Sequence, residues 1–308
     1  MTAPRSIDEY LKQLRRALGG EDPALIQDAL YDAEEYLRAE VAANPGKSEA
    51  DVLELIASTY GAPDEVATAY RDTEVKVRAA LKTPPPRAAS SPSGLTRFFG
   101  VFLDPRAYTS LFYMVLSLVT GIAYFTFVVT GSGLSVGLAI LIIGVPFFLA
   151  FIGIARVIAL GEGRLLEAIT GERMPRRPVH PGPPAGWWQR IGEMLRDRRT
   201  WTTLAYLVLM LPLGIVYFVI AVTGLSISAS FIGIPLTLLA HAVGLTHVHV
   251  LEHVQFGSET LASYDPWWAA LPLLVAGIVV LTLLMHLARG LVRLHARLAK
   301  ALLVVPGA

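Results

Sequence analysis

The sequence predicts an all-α protein with a small cytoplasmic helical domain followed by a polytopic α-helical membrane domain that contains an internal duplication. Hydrophobic residues make up 54% of the 308 residues and charged residues only 17%, which is too apolar for a soluble chain of this size. The charges are also uneven, because residues 1–80 hold 16 acidic and 9 basic side chains whereas the rest holds 9 acidic and 17 basic. An acidic soluble part therefore precedes a basic membrane part.

The acidic part, residues 1–80, is predicted to form about four amphipathic helices. Ser6 and Glu9 have the spacing of a capping box at the start of the first helix, and Ser48 opens the third. Asp22 suits the cap of the second helix, which carries one apolar stripe made of Ile26, Leu30, Ala33, Leu37 and Val41. Residues 81–96 are rich in proline and serine and lack apolar periodicity, so they are predicted to be a linker.

The membrane domain, residues 97–308, is predicted to have about four full spans. Residues 107–155 contain no Asp, Glu, Lys, Arg or His, and this length suits two spans of ~20 residues joined by a tight turn at 130–135. The predicted spans are about 108–130, 134–156, 201–223 and 267–288. Segment 226–245 is apolar but interrupted by Pro235 and His241, and we expect it to be re-entrant or interfacial.

An internal comparison predicts that the membrane part is a duplication. The stretch DPRAYTSLFYMVLSLVTGIAYF at 104–125 matches DRRTWTTLAYLVLMLPLGIVYF at 197–218, with a constant offset of 93 residues. The segments that leave the second and the last span also match, and they pair Arg156 with Arg289 and Arg164 with Arg297. Pro146 in GVP and Pro235 in GIP are also repeat-related and are expected to kink or break helices.

The distribution of arginine predicts the side on which each loop lies. Residues 162–201 contain eight arginines, whereas 246–266 contain no Lys or Arg and three carboxylates. We therefore expect a bacterial inner-membrane protein with both termini cytoplasmic and 246–266 outside. Tyr108, Trp201, Trp267 and Trp268 are predicted interfacial anchors. The predicted juxtamembrane basic residues are Arg196, Arg198, Arg199, Arg289, Arg293 and Arg297.

One cluster in the outer segment could bind a metal ion. His247 and His249 share a face of an extended strand, and neutral imidazoles at that spacing can bind Zn, Cu or Ni, with Glu252 or His253 completing the site. The alternative is a short extracytoplasmic strand whose polar face consists of histidine. A second weak pattern is the pair Gly133 and Gly137, which could let two helices approach closely.

Catalytic chemistry is not expected. The predicted spans contain no buried Asp, Glu, Lys or Arg, and no nucleotide-binding, zinc-protease or serine-hydrolase motif occurs. The chain has no cysteine, which excludes a thiol nucleophile and thiolate metal ligands. We therefore expect neither an enzyme nor a cofactor.

Two resemblances give the expected function. The stretch YLKQLRRALGG to EVATAYR at 10–71 resembles the HAAS-type cytoplasmic domain, which is regarded as a signalling module. A second resemblance is to the sensor domain family of bacterial membrane proteins. It rests on the duplicated stretches and on the motifs GVP, GERMPRRP and HLARGLVRLHARLAKALL. The first resemblance implies a PadR-type transcriptional regulator as a candidate partner. Unlike members fused to histidine kinases, residues 1–308 are not expected to include an output catalytic domain.

The sequence therefore predicts a non-enzymatic membrane sensor or signalling adaptor that passes an envelope or membrane signal to a cytoplasmic protein. The expected partners are the lipid bilayer and that protein, with no direct nucleic-acid contact and with a homo-oligomer left open. The alternative is a small transporter or channel-like protein built on the repeat.

Overall fold

The computed structural model describes residues 4–81, 94–141, 144–177, 192, 194–243, 255–256, 259–260 and 267–304. Helices account for nearly all of these residues, which confirms the all-α class. The α-helices are α1 (Ile7–Ala17), α2 (Pro23–Ala43), α3 (Glu49–Ala57), α4 (Pro63–Leu81), α5 (Gly94–Phe99), α6 (Pro105–Gly137), α7 (Gly144–Thr170), α8 (Arg198–Ala242) and α9 (Trp267–Leu303). Short 3₁₀ helices follow α5 and α6, and the two-residue strands β1 (Gln255–Phe256) and β2 (Glu259–Thr260) pair antiparallel.

The first four helices share one apolar core. Its fully or almost fully buried side chains include Tyr10, Leu14, Leu18, Ala29, Ala33, Leu37, Val52 and Ala67. Their burial removes apolar surface from water and drives the helices together. On α2, three of the predicted stripe positions are only half-buried, namely Ile26, Leu30 and Val41. The buried side chains of α2 instead include Leu25 and Asp28, which lie outside the predicted stripe, so this helix has a second covered face.

The helix caps follow the predicted serines. Ser6 Oγ accepts a hydrogen bond from the N–H of Glu9 at 3.2 Å. The carboxylate of Glu9 accepts from the N–H of Arg5 rather than of Ser6, so only half of the predicted capping box forms there. At α3 the box between Ser48 and Asp51 is complete, and it satisfies donors that the first turn would otherwise leave unpaired.

Four of the described helices are long and apolar enough to cross a membrane, namely α6, α7, α8 and α9. This is the helix complement of a multi-pass membrane protein. The longest is α8 with 45 residues. At 1.5 Å per residue this is about 67 Å, more than twice the ~30 Å of a bilayer hydrocarbon core. The membrane-capable helices are thus longer than the predicted spans.

The predicted turn at 130–135 is wrong. Helix α6 continues through it to Gly137, and α7 begins only at Gly144. The residues that suggested a turn are accommodated inside the helix. Ser135 donates its hydroxyl hydrogen to the carbonyl of Gly131 at 2.7 Å, and Gly131 lies against the ring of Phe151. Packing and local hydrogen bonding therefore override the intrinsic turn preference of Gly and Ser.

Helix α8 runs without interruption to Ala242, so it includes Pro235 and most of segment 226–245. Ser228 donates to the carbonyl of Gly224 at 2.8 Å, as a helix-internal serine does. A Cβ added at Gly277 of α9 would lie 2.8 Å from Ile232, so this part of α8 is packed against a neighbouring helix. Such packing is what lets a proline persist within an apolar helix. The depth of this segment in the membrane stays a prediction.

Pro146 neither kinks nor breaks a helix. It is the third residue of α7, whose first turn has no intrahelical acceptor for its N–H groups. The repeat-related Pro235 lies well inside α8. The two prolines therefore occupy different positions in their helices.

The chain forms two compact units, one made of residues 1–89, 125–208 and 294–308 and the other of 90–124 and 209–293. In the second unit, α6 and α8 approach so closely that only glycine fits. A Cβ on Gly121 would lie 2.6 Å from the carbonyl oxygen of Met210, and a Cβ on Gly214 would collide with the carbonyl of Ser117. The offset of 93 relates Gly121 to Gly214 and Ser117 to Met210. The glycine of each helix therefore contacts the carbonyl of the repeat-related residue on the other helix.

The predicted close approach at Gly133 and Gly137 does not occur within the described residues. An added Cβ at either position would have no atom within 4 Å.

Candidate functional site

The chain leaves α7 through residues 171–177, GERMPRR, which have no regular secondary structure; we call this segment the arginine loop. Gly171 begins the loop with φ of +74°, a left-handed conformation that glycine adopts without a Cβ clash. Its N–H donates to the carbonyl of Glu167 at 2.8 Å and closes the last turn of α7. This turn brings the loop to the N-terminal domain.

Arg173 is the buried centre of the contact between the loop and the N-terminal domain. Its Nη2 lies 3.0 Å from Oδ2 of Asp28 on α2, and its Nη1 forms an ion pair with Glu74 on α4. The side chains of Arg173, Asp28 and Glu74 are only 10%, 6% and 7% exposed. Because unpaired buried charges cost several kcal/mol each, these three groups depend on one another. Arg173 thus joins the loop to two helices.

Asp28 also binds the backbone of the loop. Its Oδ1 accepts hydrogen bonds from the N–H groups of Arg176 at 2.9 Å and Arg177 at 3.0 Å. Burial raises the pKa of Asp28, while these two bonds and the guanidinium of Arg173 oppose the shift. One carboxylate therefore holds both a side chain and two successive peptide groups of the loop.

Asp32 holds the outer edge of the loop. Its Oδ1 lies 2.9 Å from Nε of Arg177, and its Oδ2 accepts a hydrogen bond from the hydroxyl of Tyr70 at 2.9 Å. Burial, with the bond to Asp32, raises the pKa of Tyr70 and keeps the phenol protonated. Arg177 also lies 5.9 Å from the ring centroid of Tyr31, a cation–π distance. We call the surface formed by Asp28, Asp32, Tyr70 and Glu74 the acidic groove.

The other side of the loop is held by α7. Nη2 of Arg176 lies 2.5 Å from Oε1 of Glu167, and the hydrogen bond to this carboxylate raises the pKa of Arg176. Met174 is fully buried, with its Cβ 3.4 Å from the position of a Cβ added at Gly163. The arginine loop is therefore fixed between a membrane-capable helix and the acidic groove.

Further contacts join the start of α2 to the ends of other helices in the same unit. Lys300 of α9 lies with its Nζ 2.7 Å from Oδ2 of Asp22, the cap residue of α2. Gln27 donates to the carbonyl of Arg177 at 2.9 Å and accepts a hydrogen bond from Arg199 at the start of α8. The N-terminal domain thus contacts the ends of α7, α8 and α9.

A cavity of about 240 Å³ remains beside the arginine loop. Its lining combines the charged groups of the groove with apolar side chains; the lining residues are Leu25, Asp28, Asp32, Tyr70, Thr73, Glu74, Val77, Arg173, Arg176 and Arg177. The loop therefore satisfies the charges of the groove without filling its volume.

The predicted juxtamembrane arginines divide into two groups. The exposed ones, which suit contact with lipid headgroups, are Arg196, Arg198, Arg293 and Arg297. Arg289 is half-buried and lies 3.0 Å from Asp104, while Arg199 bonds to Gln27. The interfacial anchors Tyr108 and Trp201 are half exposed, and Trp267 and Trp268 open α9.

The candidate metal ligands His247, His249 and His253 lie outside the described residues, and the site stays a prediction. In the ranges that the structure covers, no group of three or more His, Asp or Glu side chains is arranged to hold a metal ion.

The contact of Arg173 with Asp28 and Glu74 was not predicted from the sequence. One signal was available, because Asp28 lies between Leu25 and Ala29, both buried positions of α2. An acidic residue on a covered face requires a partner. Its partner is 145 residues away in the chain, and nothing local in the sequence identifies it.

Comparison with known proteins identifies the membrane part. A family described as "Putative sensor" matches residues 113–303, which is more than half of the chain. The match includes most of α6 and all of α7, the arginine loop, α8 and α9. No curated protein and no solved structure matches the chain.

Proposed function

The chain belongs to the "Putative sensor" family, and from this premise we propose that it is a non-enzymatic bacterial membrane sensor or signalling adaptor. In this proposal a signal from the envelope or the membrane acts on the helices of the sensor domain. The N-terminal domain passes the signal to a cytoplasmic protein. Both termini lie in the cytoplasm, and the chain resides in the inner membrane.

The observation that carries the proposal is the docking of the arginine loop. Arg173 belongs to the segment that matches the sensor family, and it forms ion pairs with Asp28 and Glu74 of the N-terminal domain. A displacement at the end of α7 would move Arg173 relative to Asp28 and Glu74 and so weaken these buried ion pairs. A ligand can shift such an arrangement by as much as it favours one state over the other. The contact therefore supplies a physical route from the membrane helices to the cytoplasmic domain.

The nature of the output follows from resemblance. Residues 10–71 resemble the HAAS-type signalling domain, and that resemblance favours a PadR-type regulator as the partner. A protein partner also suits the charge of this domain, since 16 acidic against 9 basic side chains in residues 1–80 disfavour direct binding to nucleic acid.

The proposal is tested by photo-crosslinking in intact cells. A photo-reactive amino acid replaces Leu55 on α3 or Val75 on α4, which are 54% and 67% exposed on the N-terminal domain. We expect both positions to capture the same cytoplasmic protein, identified by mass spectrometry. Ile140 is the matched control, because it is 93% exposed and lies between α6 and α7, a connection that faces the outside in the proposed topology.

Two results would count against the proposal. The first is that Leu55 and Val75 capture no protein beyond the background of Ile140. The second is that purified chain in proteoliposomes transports a solute in a saturable manner. The second result would favour the transporter alternative.

A further inference from the structure

We propose that the acidic groove is the partner-binding surface of the N-terminal domain and that it binds an arginine-containing segment of the partner. The arginine loop occupies the groove as an intramolecular competitor of that segment. This inference rests on the proposed function, because it names the surface through which the signal leaves. The partner segment and the loop then compete for the same carboxylates.

The groove is built to bind a short peptide with a positive side chain. Asp28 accepts from two successive backbone N–H groups, which any peptide offers, while it shares the guanidinium of Arg173 with Glu74. Arginine suits this position because its planar guanidinium donates to two carboxylates at once. Three carboxylates in one groove repel lipid phosphates and nucleic acid, so the chemistry selects a basic protein segment.

The unfilled volume indicates that the loop is not the best occupant. The cavity of about 240 Å³ beside it has Leu25, Tyr70 and Val77 in its wall. A partner segment that carries an arginine with a neighbouring apolar side chain would keep the ion pairs and also bury this apolar surface. Such a segment would bind better than the loop once both can reach the groove.

Tethering explains why the loop occupies the groove in the resting chain. Its effective concentration is high because it is part of the same molecule. The loop is also attached to α7 through Glu167, which pairs with Arg176. A movement at the end of α7 would withdraw the loop and expose the groove. The contact is thus both the inhibitor of partner binding and the point at which the sensor domain controls it.

The test uses the full chain in lipid nanodiscs and a fluorescent peptide that copies residues 171–177. We expect weak binding to the unmodified chain and binding at least about tenfold tighter to the Arg173→Ala variant, because the tethered competitor is weakened. The matched control is Arg15→Ala, which removes an exposed arginine of α1 and should leave the affinity unchanged. A peptide in which glutamate replaces the arginine that copies Arg173 should not bind to any variant.

A second variant keeps the inference testable if Arg173→Ala fails to fold. Glu167→Ala leaves every group of the acidic groove intact and removes the ion pair between Arg176 of the loop and α7. It should also tighten peptide binding, by less than Arg173→Ala does. Helical circular dichroism of both variants should equal that of the unmodified chain.

Equal peptide affinity in all variants, or no binding to any, would overturn the inference. The crosslinking from Leu55 and Val75 separates its failure from that of the proposed function. Capture of a partner together with unchanged peptide affinity would refute only the groove. Tighter peptide binding without any captured partner would support the groove and refute the proposed function.

Discussion

The guanidinium of Arg156 lies 3.0 Å from the carboxylate of Asp197. Arg289 lies at the same distance from Asp104. The sequence comparison relates Arg156 to Arg289 and Asp104 to Asp197. Each aspartate precedes α6 or α8 and accepts a hydrogen bond from the N–H of the second residue of that helix, Arg106 or Arg199. Each arginine comes from the exit segment of the other predicted repeat, so the same contact is formed twice with the roles of the repeats exchanged.

We expect the Arg156–Asp197 pair to contribute little to stability by itself, because both side chains are about one-third exposed. A double-mutant cycle with Arg156→Gln and Asp197→Asn, measured by unfolding in detergent, should give a coupling free energy of about 0.2–1 kcal/mol. Asp197→Ala should cost about 1 kcal/mol more than Asp197→Asn, because it also removes the helix cap. A coupling of several kcal/mol would contradict this account.

The glycine contact between α6 and α8 should tolerate no added carbon. We expect Gly121→Ala and Gly214→Ala each to lower the free energy of unfolding by about 1–3 kcal/mol, because the new methyl group would overlap a backbone carbonyl. Gly133→Ala is the matched control, since its added carbon meets no atom within 4 Å and alanine favours the helix. Thermal unfolding of the three variants in one detergent provides the comparison. Similar losses for Gly121→Ala and Gly133→Ala would argue against the close approach.

Topology can be tested with single cysteines, because the chain contains none. We expect an impermeant maleimide added to intact cells to label Ser258→Cys but not Arg297→Cys. Arg297 is chosen because it is exposed, whereas the adjacent Ala296 is fully buried and would not react from either side. After permeabilisation both cysteines should react. Labelling of both or of neither in intact cells would disprove the four-span arrangement.

The N-terminal domain should lose stability at high pH. Burial, with the nearby charge of Asp32, raises the pKa of Tyr60 to about 12. An unfolded tyrosine loses its proton near ~10. The folded state therefore binds more protons, and this part of the stability is complete below ~10 and is lost as the pH rises through about 12. Unfolding followed at stepwise pH should show a shallower alkaline decline in Tyr60→Phe, which keeps the ring that stacks on Tyr36 at 4.4 Å. An unchanged decline would show that Tyr60 does not hold its proton more tightly when folded.

The sequence by itself determined the helical class and the membrane-capable segments. Hydropathy and charge are properties of each residue. An uncharged apolar stretch such as 107–155 can therefore be recognised as membrane-capable without knowledge of the tertiary structure. Helix caps are equally local, as Ser48 and Asp51 illustrate, since both partners of the bond lie within four residues.

The local preferences of glycine, serine and proline gave wrong predictions where packing and hydrogen bonds offset those preferences. Gly131 and Ser135 suggested a turn, and Pro235 suggested a break, but each is accommodated within a helix. Glycine lets Phe151 approach, and the serine hydroxyl bonds within its own helix. The free-energy preference of these residues for turns is small compared with the packing gained by a continuous helix.

Only the tertiary structure decided where the arginines of residues 171–177 lie. Their number and position in the sequence indicate a cytoplasmic, basic segment, and a surface location on anionic lipid would satisfy that composition equally well. Arg173 is instead buried against Asp28 and Glu74. The choice depends on whether carboxylates on α2 and α4 come to lie together in a site shielded from water, because charge pairing strengthens as the surrounding water is removed. That condition is set by the packing of α1 to α4 and by the turn at Gly171, and it exists only in the folded chain.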